Sequence, residues 1–317
     1  MQKDALAFFF SMAVFLLSIS LLPYYTSGDQ LHYRAFYENL PDYGFIDGFH
    51  YYNEALGSKE IGYYVYVYLF SELLKKDFLI SLTNAFLGYI FAKLLLEKNT
   101  SPVVLFLLFF NFYLLILLFS AERLKLSIIF CMLAFRSTGR KSFLFWLSAI
   151  FSHVQILMLL SAQTISKLST DLSSLLRGHL KTSLLISLIT VAVFSLTVFT
   201  LLGDHITTKL NAYTGTDRIF DGGFHALLKP IVFLILATYY SKNKILPLFI
   251  YLPLLIAAYF VGDERLVIFS YIFFMYYALQ VNRGLNVGVL TTGVYFLAKG
   301  LLFIDRIIEY GDGFYGA

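Results

Sequence analysis

PVVLFLLFFNFYLLILLFSAERLKLSIIFCMLAF, residues 102–135, is apolar from end to end except for one island, Glu122-Arg123-Lys125. An unpaired charge in hydrocarbon costs at least about 2–3 kcal/mol, and a run of this length is too long for a single crossing. The stretch predicts two membrane helices, Val103 to Phe119 and Leu124 to Phe135, meeting at a polar turn. Arg123 is then held between two helices at a membrane face. A guanidinium there keeps its charge and donates two parallel hydrogen bonds, which suits a phosphate. It equally suits an ordinary interfacial arginine whose stem lies in lipid and whose head reaches water.

The rest of the chain belongs to the same solvent. With 59% hydrophobic and 14% charged residues and a mean hydropathy of +0.73, it is built to live in a bilayer. The expected class is an all-α polytopic integral membrane protein, a single transmembrane domain over residues 1–317. About ten transmembrane helices fit its length, with one or two irregular or re-entrant segments and external polar loops near 24–60 and 203–223. The net charge of +4 gathers in short loops, which is the bias of a cytoplasmic membrane face and carries no sign of a nucleic-acid partner. Cys131 is the one cysteine, so intramolecular disulfides and thiolate metal sets are excluded. Lys3 precedes an apolar stretch, Ala5 to Leu22, that is long enough to span and has no small-residue cleavage site after it, so a retained first helix is expected.

Between Tyr24 and Lys59 the chain is polar, acidic and rich in tyrosine. Such rings form an interfacial belt or stack on sugar faces beside carboxylates. Counting every apolar stretch as one crossing puts the densest basic loop, Arg136 to Lys141, on the outside. The positive-inside rule is restored if two stretches are irregular: Tyr63 to Leu74, which is short, and Phe143 to Ile165, which is interrupted at Ser152-His153 and Gln155. Irregular backbone at that depth lines a cavity or is buried in protein. On this reading Arg123, Arg265 and both long polar loops share the external face, with His153 near it.

Asp29, Glu60, Arg123, His153, Lys209 and Arg265 then form a set. Two arginines and a lysine suit an anion, and a diphosphate at the membrane surface is the natural one. The carboxylates and the histidine supply acid or base groups. No carboxylate or histidine pair stands at ligand spacing within a segment, so no metal is expected and arginines take the place of a divalent ion. Each residue also has a plainer reading: His153 beside Ser152 as a hydrogen-bonded helix histidine, Glu264-Arg265 as an interfacial ion pair.

The order Gly28-Asp29 with Tyr33, Glu60-Ile61-Gly62-Tyr63, Arg123 between two spans, Phe151-Ser152-His153, Lys209 with Tyr213, and Glu264-Arg265 before a tyrosine-rich span resembles the EpsG-like group of Wzy-type polysaccharide polymerases. The resemblance runs over nearly the whole chain. It implies a multi-pass protein of the bacterial cytoplasmic membrane, active on the face toward the periplasm or cell exterior, and is compatible with a GT-C-like membrane glycosyltransferase architecture. The activity implied is transfer of a growing glycan from undecaprenyl diphosphate to an incoming undecaprenyl-diphosphate-linked repeat unit, in O-antigen, capsule or exopolysaccharide synthesis. It implies that Arg123 and Arg265 bind diphosphate and that Asp29, Glu60 and His153 line the acceptor or transfer site. Tyr33, Tyr63, Lys209, Tyr213, Arg218 and Glu264 would bind substrate. It further implies no cofactor and no metal, with a flippase and a chain-length regulator as partners. The chain departs from the family pattern in the island, where Leu124-Lys125 follows Arg123 in place of a glutamine.

Two other classes share these features. A flippase or transporter of lipid-linked saccharide would show related halves and charges near the midplane; no internal repeat is evident, and the charges lie at helix ends. An O-antigen-ligase-like transferase uses the same donor chemistry and differs only in its acceptor.

Overall fold

The computed structural model describes residues 2–162, 164, 224–261 and 264–315. These are helical, with no β-strand among them. The helices are α1 (Gln2–Leu21), α2 (Asp29–Asn39), α3 (Phe45–Leu56), α4 (Ile61–Phe70), α5 (Lys76–Glu97), α6 (Pro102–Phe109), α7 (Phe112–Phe119), α8 (Glu122–Arg136), α9 (Gly139–Ser152), α10 (Phe224–Tyr240), α11 (Leu246–Val261), α12 (Glu264–Ala278) and α13 (Val287–Tyr310). They group into two compact units, Met1–Ile156 with Leu279–Ala317, and Leu157–Ala278. Among the described residues three stretches are long and apolar enough to cross a membrane: Gln2–Tyr24, Lys76–Glu97 and Asn282–Tyr310. A fourth is added if α6 and α7, bent by 53°, count as one broken span. Three or four clear spans therefore stand against the expected ten or so, with shorter apolar helices beside them.

In the first unit α1 runs along α5. Lipid supplies no hydrophobic drive between helices, so this contact is made of small and polar side chains. Ser11 donates to the Ala85 carbonyl at 2.7 Å, Asn84 Nδ2 donates to Ser18 at 2.9 Å, and Gly88 packs directly on Val14. At one end of the pair Lys3 bonds Asn99 (2.7 Å) and Lys93 pairs with Asp4 (2.8 Å). Arg136 from the end of α8 reaches Glu97 with both amino groups, at 3.0 and 2.8 Å, and Arg283 donates to the Asn99 carbonyl. Lys3, Arg136 and Arg283 thus share one end of this unit. At the other, Arg34 grips Asp77 at the start of α5, and the amides of Thr26 and Ser27 bond the Gly311 carbonyl that follows α13.

Both stretches expected to be irregular are. Helix α4 has 10 residues, and α9 stops at His153, after which a 3₁₀ turn, Val154–Ile156, follows. The stretch Val103 to Phe119, expected as one helix, is broken instead at Phe110-Asn111. Asn111 caps α7 by accepting from the Tyr113 amide (3.0 Å), and α13 comes so close that a Cβ on Gly300 would lie 1.9 Å from the Phe110 carbonyl oxygen. A straight helix would occupy the path of α13.

The polar segment from Tyr24 to Lys59 is also more ordered than a loop. It forms α2 and α3, and Tyr33, Phe36, Tyr37, Tyr52, Tyr63 and Tyr64 pack on one another as a core. Phe36 and Tyr52 lie 5.2 Å apart between ring centres, and Tyr33 and Tyr63 5.7 Å. Other rings of the segment, Tyr24 and Tyr43, are exposed. In the second unit α10, α11 and α12 pack together, with Tyr251 donating to the Ser270 carbonyl (2.6 Å) and Phe233 stacked on Phe274.

Candidate active site

The island at Glu122 is buried within the protein. Ser120 and Ala121 both bond the Ile116 carbonyl, the chain turns, and α8 begins at Glu122. The last carbonyls of α7 are left without helical partners by that turn, and buried polar side chains supply them. Gln30 Nε2 donates to the Phe119 carbonyl at 2.6 Å and Lys125 Nζ to the Leu118 carbonyl at 2.7 Å.

Glu122 and Arg123 are consecutive residues of a helix, so their side chains leave in directions about 100° apart. Glu122 turns toward α2, α4 and α5. Its Oε1 accepts from Lys76 Nζ (2.8 Å) and Gln30 Nε2 (2.9 Å), and its Oε2 from the Tyr63 hydroxyl (2.6 Å). Lys76 also donates to Gln30 Oε1 at 2.5 Å. Arg123 turns toward Glu60, with Nη1 to Oε2 at 3.0 Å and Nε to the Tyr33 hydroxyl at 3.2 Å.

Glu60 joins Arg123 to His153. Its Oε2 also accepts from Ser58 (3.0 Å), while Oε1 lies 2.6 Å from His153 Nδ1 and 3.2 Å from the Val154 amide. A carboxylate met by this many donors is an acceptor, so Nδ1 carries the proton toward it and Nε2 is the basic nitrogen. Among the described residues Nε2 and the Nη2 group of Arg123 have no hydrogen-bond partner. The side chains of Arg123, Glu60 and His153 are 11%, 2% and 5% exposed, low enough that solvent hardly weakens their interactions. Tyr52 closes the cluster, and burial pushes its hydroxyl well above the usual phenol range, so it stays neutral.

Glycine lets α4 reach α9. A Cβ at Gly62 would lie 2.7 Å from Ser152 Oγ and 2.9 Å from its backbone nitrogen, so only glycine permits the approach that sets Glu60 beside His153.

Of the residues expected at the site, Glu60, Arg123, His153 and Tyr33 are brought together. Tyr63 is adjacent, engaged with Glu122. Asp29 is half-buried in the first turn of α2, and its neighbour Gln30 is the one that enters the network through Glu122. Glu264 and Arg265 open α12, in the second unit. Lys209, Tyr213 and Arg218 lie outside the described residues. Sequence reasoning missed Gln30, Lys76 and Ser58; the one available signal was that a buried Glu122 must find a donor somewhere. Among the described residues no three of His, Cys, Asp or Glu gather into a group that could hold a metal ion.

The chain matches the model of the EpsG family over residues 6–244, a span that contains Glu60, Arg123 and His153. No curated protein and no solved structure matches it.

Proposed function

The chain belongs to the EpsG family, a Wzy-like polymerase type, and we propose that it lengthens a glycan in the bacterial cytoplasmic membrane. Its donor is a growing chain on undecaprenyl diphosphate, and its acceptor the sugar end of an incoming undecaprenyl-diphosphate-linked repeat unit, on the external face. The observation that carries the reading is the Glu60 carboxylate held between Arg123 and His153, with Nε2 and Nη2 unengaged among the described residues.

In the transfer the acceptor hydroxyl oxygen bonds to the anomeric carbon and the bond from that carbon to the phosphate oxygen breaks. Undecaprenyl diphosphate leaves with the electron pair, and the hydroxyl proton passes to His153 Nε2 and then to water. Glu60 holds the imidazole in the tautomer that takes the proton and stabilises the imidazolium formed. Arg123, fixed by Tyr33 and Glu60, presents Nη2 to the oxygen on which charge develops; a donor already in place needs no reorganisation during the step. A guanidinium in that role replaces a divalent ion, so transfer is metal-independent. Delivery of the lipid-linked unit to the external face requires a flippase-type step, and a chain-length regulator would decide when transfer stops.

The test is polymer length on a gel, from a strain lacking the gene and complemented with wild type or Arg123→Ala at matched protein levels. The null strain and the variant are expected to carry single repeat units where wild type gives a ladder. Absence of surface repeats with lipid-linked units retained inside would favour transport, and a full ladder in the null strain would overturn the reading. In washed membranes the ladder is expected to persist in EDTA; loss reversed by magnesium would refute metal independence.

A further inference from the structure

Arg123 pairs with Glu60, while Glu122, the residue before it in the chain, is satisfied from elsewhere. That satisfaction comes from three other elements: Lys76 on α5, Gln30 on α2 and Tyr63 on α4, which together donate to both oxygens of Glu122. Lys76 supplies the charge in direct contact, while Lys125, the other buried ammonium that acts on Glu122, donates to the Leu118 carbonyl. Lys76 is buried in the first turn of α5, where the helix dipole disfavours a cation, so its place there does not serve its own helix. The next residue, Asp77, faces Arg34 in a separate ion pair, which holds the start of α5 against α2.

We propose that Lys76 is a positioning residue for the transfer reaction: by closing the Glu122 network with Gln30 and Tyr63 it fixes the first turn of α8 and keeps Arg123 on Glu60. Without the ammonium, Glu122 becomes a buried carboxylate short of its counter-charge. Arg123 is then drawn toward it and away from Glu60, and His153 loses the neighbour that completes its carboxylate. The edge-to-face contact of Tyr33, the partner of Arg123, with Tyr63, the partner of Glu122, joins the two networks.

The activity arm of the test rests on the polymerase reading. Lys76→Met is compared with Lys76→Met/Glu122→Gln, in which both charges are gone. The single variant should lose about a hundredfold in ladder formation, the scale of a misplaced catalytic group. The double variant should recover most of it, at protein levels matched by blot. The second arm is independent of the reaction: the Nδ1–H resonance of His153 in ¹⁵N-histidine-labelled protein in detergent, assigned with His153→Asn. It should shift in Lys76→Met and return in the double variant. A Lys76→Met protein with full activity, or a folded inactive one with the wild-type His153 resonance, would overturn the proposal. So would a folded double variant that stays inactive, since Lys76 would then act on substrate itself. If the single variant does not accumulate, the double variant alone decides by its activity and resonance. A full ladder in the null strain would sink the polymerase reading while leaving the resonance arm intact.

Discussion

Arg123 holds Tyr33 through Nε and Glu60 through Nη1, which leaves Nη2 for the anion in the proposed reaction. A lysine offers one nitrogen on a flexible stem and cannot hold two fixed partners while donating to a third. Arg123→Lys is therefore expected to reduce ladder formation by roughly a hundredfold, the loss typical of one removed oxyanion donor. Near-normal polymer from that variant, at matched levels, would remove the fork from the mechanism. His153→Asn separates orientation from proton transfer, because the amide N–H still reaches toward Glu60 while the base is gone. Polymer rate should fall by about 10²–10⁴-fold with protein level unchanged, whereas a parallel drop in protein level would reduce His153 to a structural partner of Glu60. These residues are legible in the chain because each is polar within an apolar run and must be met by something. Lys76 is not. It sits in Lys75-Lys76-Asp77, which has the look of any boundary between two apolar stretches, and only the fold shows that the middle residue turns inward. Gln30 carries no charge and follows Asp29, so nothing in the sequence marks it out.

Helix α4 shows what one element does for the site. It is too short to span and is pinned at Gly62 against the end of α9, so that Glu60 and His153 meet where both chains leave regular structure. Gly62→Ala puts a methyl group against backbone atoms of Phe151 and Ser152, which have no rotamer to yield. Overpacking of this kind costs about 1–3 kcal/mol, and relief by separation of α4 from α9 pulls Glu60 from His153. The variant should accumulate at a reduced level and lose activity beyond that reduction; activity per molecule equal to wild type would show that the approach of the two helices does not set the site. The shortness of α4 and the interruption of α9 are readable from hydropathy alone. The break between α6 and α7 is not, because its cause is α13, which passes Phe110 from more than 180 residues away. Likewise the tyrosines of α2 and α3 have the composition of a surface, and their burial follows from packing on one another, which no local pattern encodes.

The first unit as a whole separates charge by ends. Lys3, Lys98, Arg136, Arg140, Lys141 and Arg283 are exposed, and they lie where α1 and α9 begin, where α5 and α8 end, and just before α13. Crossing helices leave short basic segments on the cytoplasmic side, since translocating them is unfavourable. On that ground we propose that this end faces the cytoplasm, and that the start of α8, the end of α9 and the segment from Gly28 to Leu56 face the external side. The assignment matters for chemistry, because a polymerase that draws on lipid-linked units already translocated must expose its acceptor site externally. In a Cys131→Ser background, Arg140→Cys should resist an impermeant thiol reagent in intact cells and react once the membrane is opened, while Asp42→Cys should react in intact cells. Both positions are exposed, so a failure to react reports the side of the membrane and not burial. Labelling of Arg140→Cys from outside would invert the protein, place Arg123 and His153 toward the cytoplasm, and make a donor on the inner leaflet the only one the site could meet.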